Sequence, residues 1–81
     1  MKISRKELLL IKQNAEFESP NECCGILGGQ NNQVTDVFQI DNIVASPARY
    51  LMDPEQQLKA TLDLENRGLQ IIGFYHSHTN S

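Results

Sequence analysis

No stretch of this 81-residue chain is apolar for anything near the ~20 residues that a membrane-spanning helix needs. Residues 8–11 are apolar, but the N-terminus lacks the long apolar core and small-residue cleavage site of a signal peptide. Cysteine is limited to Cys23 and Cys24, and adjacent cysteines make a poor disulfide. A reducing, cytoplasmic compartment is therefore expected. The seven basic residues are scattered and the formal net charge is -3, so neither nucleic acid nor an anionic membrane is expected as a partner. Repeats and low-complexity tracts are absent. Histidine is equally scarce, and its two copies stand one residue apart, at His76 and His78.

What is present is ordinary globular material. An apolar fraction of 40% against a charged fraction of 21% fits a folded chain rather than a disordered one. At this length there is one domain, with marginal burial and little stability to spare. Ser4 and Glu7 form a capping-box pair and Ile3 and Leu8 a hydrophobic staple, which predicts a helix ending near Phe17 or Glu18, before Ser19-Pro20. Leu8, Ile11 and Ala15 share its apolar face, widened by Leu9 and Leu10.

Residues 23–27 form a short apolar run closed by Gly28-Gly29 and predict a buried strand, with the glycines permitting close packing and a turn. Gln30-Asn31-Asn32 is turn chemistry, and residues 33–40 alternate, with Val34 and Phe38 on the apolar phase of a second strand. A loop follows, then a short strand at Tyr50-Leu51-Met52. Asp53, Pro54 and Gln56 start a second helix with another capping box; Leu58 and Leu62 are expected to face the core and Gly68 to stop the helix. Glu55 with Lys59 and Asp63 with Arg67 are favourable i,i+4 pairs. Residues 69–75 read as a central strand, with Phe74 and Tyr75 as core. The order predicts an α+β (α/β-like) domain, a sheet flanked by helices.

The chemistry gathers at the C-terminal end, in Gly73-Phe74-Tyr75-His76-Ser77-His78. Residues i and i+2 of a strand share a face, so His76 and His78 aim at one point and make half of a zinc site. Ser77 has the opposite phase. The other half is not supplied nearby. Cys23 and Cys24 point to opposite faces, and burial suits them better than ligation. The glycines are not a phosphate loop, because no Lys-Ser/Thr follows them. Glu22, taken singly, reads as a solvated loop carboxylate.

Pro20-Asn21-Glu22-Cys23-Cys24-Gly25-Ile26-Leu27-Gly28-Gly29, then the Asp53-Pro54-Glu55-Gln56 helix start, then Gly-Phe-Tyr-His-Ser-His, together resemble the JAMM/MPN metallopeptidase family across the whole chain. The resemblance implies a cytidine-deaminase-like core. It implies zinc (Zn2+) held by His76 and His78, and Glu22 as general base and then general acid. It also implies hydrolysis of an amide bond at the C-terminus of a ubiquitin-like or sulfur-carrier protein. Residues 42–49 are similar to the family loop that borders the substrate groove.

The family motif continues past the second histidine to a serine and then to the aspartate that is the third ligand. Neither is present at the expected distance, and Asp36, Asp41 or the C-terminal carboxylate would be poor substitutes. Residues 1–81 thus read as a partial JAMM/MPN domain lacking its C-terminal elements. Such a chain is expected to bind zinc weakly or not at all, to be inactive as it stands, and to form homo-oligomers through exposed apolar surface. The alternative is a non-catalytic MPN-like protein-interaction module. A cupin-like fold would fit two capped helices and few strands badly.

Overall fold

The computed structural model describes residues 1–77 of the chain; His78 and the C-terminal carboxylate lie outside the described residues. The elements run α1 (Arg5–Glu18), β1 (Cys24–Gln30), β2 (Gln33–Ile40), α2 (Pro54–Asn66) and β3 (Gln70–His76). The strands form one antiparallel sheet in the order β2-β1-β3. The expected α+β class is the class observed.

Local chemistry explains most of the boundaries. Ser4 and Glu7 make the reciprocal capping box of α1, the Ser4 hydroxyl meeting the Glu7 carboxylate. At α2, Asp53 accepts from the amides of Glu55 and Gln56, and Pro54 opens the helix. Gln56 does not close a box with Asp53 there. Its side chain instead accepts from the Asp41 amide at 2.8 Å and donates to the Asp41 carboxylate at 2.8 Å, while the Asp53 amide is used by the Asp41 carbonyl. Gly68 adopts φ 71 at the stop, as a left-handed C-terminus requires. Asn31 and Asn32, with φ 52 and 61, make the tight turn of the β1–β2 hairpin.

β1, and not β3, is the central strand among the described residues. Its composition explains this: Cys24, Ile26 and Leu27 are buried, and the strand is apolar on both sides. On one face Cys24 and Ile26 pack with Ile40, Met52, Ala60 and Leu64; on the other Leu27, preceded by Cys23, packs with Val34, Tyr75, Ile3 and Ile11. The two cysteines are both buried and free, on opposite faces.

Both neighbours of β1 carry an irregularity beside its glycines. The β2 register skips Thr35 opposite the Gly28–Gly29 step, and the β3 register skips Ile72 opposite the Leu27–Gly28 step. An extra residue reverses the alternation of a strand. Val34 and Phe38 therefore lie on opposite faces, although strict alternation would put them on one.

Four further expectations, three about burial and one about a strand, are corrected. Leu58 and Leu62 are 57% and 48% exposed, and α2 buries Ala60 and Leu64 in their place. The reason is Gly28: a β-carbon there would lie 2.3 Å from Leu64 Cδ2, so the missing side chain makes the socket that Leu64 fills. Leu8 is 51% exposed, and the buried residue of α1 is Asn14, held by the Tyr75 hydroxyl at 2.8 Å. Phe74 is 54% exposed whereas Tyr75 is buried. Tyr50 and Leu51 form no strand; only Met52 pairs, in an isolated bridge to Asn42.

Candidate active site

Glu22 precedes β1 and His76 ends β3. His76 stands opposite Cys24 in the β1–β3 ladder, and a further main-chain bond from the Ser77 amide to the Cys23 carbonyl, 3.0 Å, carries the pairing past the strand ends. Glu22 lies two residues before Cys24, which brings its side chain beside His76. The Glu22 Oε1 to His76 Nδ1 distance is 3.7 Å. Glu22 is only 5% exposed, so it is not the solvated loop carboxylate that a single glutamate suggests. The gap exceeds a direct hydrogen bond and places a carboxylate and an imidazole around one small volume.

Both groups are held from outside. The Tyr50 ring stacks on the His76 imidazole, with centroids 4.7 Å apart and planes 25° apart. The Glu22 amide donates to the Ser46 carbonyl at 2.8 Å, and the Glu22 carbonyl accepts from Asn42 Nδ2 at 3.0 Å. Ser77, on the opposite phase, uses its Oγ to accept from the Cys23 amide at 2.8 Å. Beneath the site, Gly25 leaves room for Tyr75: a β-carbon at Gly25 would fall 2.1 Å from the Tyr75 ring. The sequence placed Asn42 and Ser46 only within a loop similar to the one bordering the family's substrate groove, and gave no site role to Tyr50. They sit in a loop without periodicity, and only the fold shows what they touch.

Other donors are engaged elsewhere. Burial, then the neighbouring Cys23, then Asp41, Glu18 and Glu22 push the Cys24 thiol up to about 11, so it stands protonated at neutral pH and donates to the Ile40 carbonyl. Asp36 pairs with Arg67 at 3.2 Å, and Asp41 holds Gln56. Among the described residues no three His, Cys, Asp or Glu side chains converge as a metal centre requires. Residues 1–77 thus offer one imidazole beside one buried carboxylate. A groove of about 640 Å³ beside β2 and α2, lined by Phe38, Ile40, Gln56 and Lys59 among others, includes neither Glu22 nor His76.

Residues 5–81 match the family described as prokaryotic homologs of the JAB domain. The chain is 44% identical over 57 residues to the desampylase of Pyrococcus furiosus, covering 70% of this chain and 41% of that protein. It is 40% identical over 62 residues to the probable TtuB-protein conjugate cleaving protease of Thermus thermophilus, covering 75% of this chain and 41% of the relative. The solution structure of a Desulfitobacterium hafniense protein superposes with a TM-score of 0.85 at 33% identity, covering 95% of this chain and 56% of that one. The chain therefore spans about half the length of the proteins it resembles, or less. Because residues 5–81, nearly all of this chain, match that family, the chain belongs to the prokaryotic JAB group of the JAMM/MPN family.

Proposed function

We propose that Glu22 and His76 are the working pair of a JAMM-type amide hydrolase centre, with Glu22 carrying the proton and His76 donating to zinc together with His78. The observation that carries this is the buried Glu22 carboxylate 3.7 Å from an imidazole that lies 54 residues away along the chain. When bound, zinc would supply the Lewis acid that brings a water's pKa near 7. Glu22 then has a simple task. Its carboxylate takes a proton from the water that adds to the amide carbon and delivers it to the departing amine, so that it ends unchanged. Burial suits this, since it fixes the carboxylate beside the imidazole and leaves few competing waters at that position. The stack on Tyr50 fixes the imidazole plane, which is how a ligating histidine is kept ready.

The names of the relatives point to the substrate. One is a desampylase, and another is named for cleaving TtuB-protein conjugates. We propose a ubiquitin-like or sulfur-carrier protein conjugate as the substrate class, in the cytoplasm, where two free cysteines are at home. The buried placement of Glu22 beside His76 favours this reading over a non-catalytic interaction module, which has no need to bury a carboxylate there.

A zinc titration by calorimetry tests the centre. We expect weak uptake by this chain, lost in His76→Ala; uptake that is unchanged in His76→Ala refutes the metal role. Glu22→Gln should leave uptake intact, because Glu22 is placed as proton carrier and not as ligand. We expect no hydrolysis of a ubiquitin-like fusion by the 81 residues with zinc, since a catalytic zinc site ordinarily has three protein ligands. Turnover abolished by Glu22→Gln would overturn that expectation.

A further inference from the structure

Asn42 uses its whole side-chain amide. Nδ2 donates to the Glu22 carbonyl at 3.0 Å and to the Arg49 carbonyl at 3.2 Å, while Oδ1 accepts from the Val44 amide at 3.3 Å and the Leu51 amide at 3.0 Å. The bond to Val44 alone is the familiar turn contact of an asparagine with a residue two further on. The other three span 20, 7 and 9 residues. They close residues 43–51 into one loop and fasten that loop to the main chain of Glu22. The same loop returns a second bond to Glu22, from its amide to the Ser46 carbonyl, and carries the Tyr50 ring onto His76.

We infer that Asn42 is a positioning residue whose single amide makes loop 43–51, Glu22 and His76 one mechanical unit. Glu22 is held through its own backbone, and His76 through the stacked Tyr50. An amide is the one small side chain with two donors and an acceptor at this spacing. Aspartate has the same shape but no donor, and would set an anion against the carbonyls of Glu22 and Arg49. The functional weight of the inference rests on Glu22 and His76 being the working pair; the geometry does not.

The test is nuclear magnetic resonance on the 81-residue chain and its Asn42→Asp variant. In the unaltered chain, ring protons of Tyr50 and His76 should show mutual cross-relaxation. In the variant that contact should disappear, and the amides of Glu22 and Leu51, which open with the loop, should exchange at least about tenfold faster, because both bonds donated by Nδ2 are lost. Contacts between Ile26 and Leu64 should persist, which separates a positioning effect from general unfolding. An intact Tyr50–His76 contact with unchanged exchange in Asn42→Asp overturns the inference. Should the variant not fold, exchange in the unaltered chain decides: Glu22 and Leu51 should share one protection factor, and Leu51 exchanging at open-loop rates while Glu22 stays protected overturns it. Zinc uptake that ignores His76 would remove the proposed function and leave this inference standing. Uptake that needs His76, with Asn42→Asp silent in every signal above, would do the reverse.

Discussion

Tyr75→Phe is the most informative single perturbation of this fold. The Tyr75 hydroxyl donates to Asn14 Oδ1 at 2.8 Å, both residues are buried, and the bond joins β3 to α1 across 61 residues of chain. Removing the hydroxyl takes away little volume, so the cavity contribution is small. What remains is an asparagine oxygen deprived of that partner inside the α1-side core. Leaving a buried acceptor unpaired costs about 1–3 kcal/mol, whereas a made bond is worth about 1 kcal/mol net. We therefore expect a loss of about 1–2 kcal/mol, measured by urea unfolding with the slope unchanged. For a domain of this size each kcal/mol lowers Tm by roughly 4–8 °C. The double variant Asn14→Leu/Tyr75→Phe replaces both partners by apolar groups and should recover most of the loss, because a pair removed together leaves no orphan. A Tyr75→Phe chain within about 0.3 kcal/mol of the parent would show that the bond contributes nothing. A double variant losing the sum of both singles would show that packing, and not pairing, sets the cost.

Three further predictions follow from burial. Leu64→Ala should cost about 2–5 kcal/mol in urea unfolding, while Leu58→Glu with Leu62→Glu should stay within about 1 kcal/mol and suppress the concentration-dependent self-association that we expect in sedimentation. Gly25→Ala should destabilise markedly and displace Tyr75, seen as loss of the Tyr75–Asn14 contact by nuclear magnetic resonance, because its β-carbon has no room. The Cys24 thiol, raised from 9.0 to about 11 chiefly by burial, is held protonated in the fold and ionises more readily when unfolded. Its contribution is complete below pH 9 and is lost as pH climbs from there through about 11; Cys24→Ala should flatten that part of the pH–stability curve.

Capping, turns and the buried first strand were legible because each rests on contacts a few residues apart. Ser4 with Glu7, Asp53 with Pro54, and the Asn31-Asn32 turn act within their own neighbourhoods. The second capping box failed because Gln56 found a better partner in Asp41, 15 residues back. Leu58 and Leu62 form a plausible helical stripe, yet the helix turned Ala60 and Leu64 inward to meet the socket over Gly28. Periodicity reports that a helix has an apolar side; the shape of the opposing sheet chooses which side is used.

The amino-acid order alone determined the α+β class, the two helix starts, the family and the nomination of Glu22 and His76, since all of these rest on local chemistry or on pattern. Only the tertiary structure decided that the two residues meet. The ladder that sets His76 opposite Cys24 pairs strands about 50 residues apart and runs in regular register from Leu27–Gly73 to Cys24–His76. It also decided that Glu22 is buried and that Asn42 and Tyr50 hold the pair. Such contacts depend on distance in space between residues far apart in the chain, which no local pattern records.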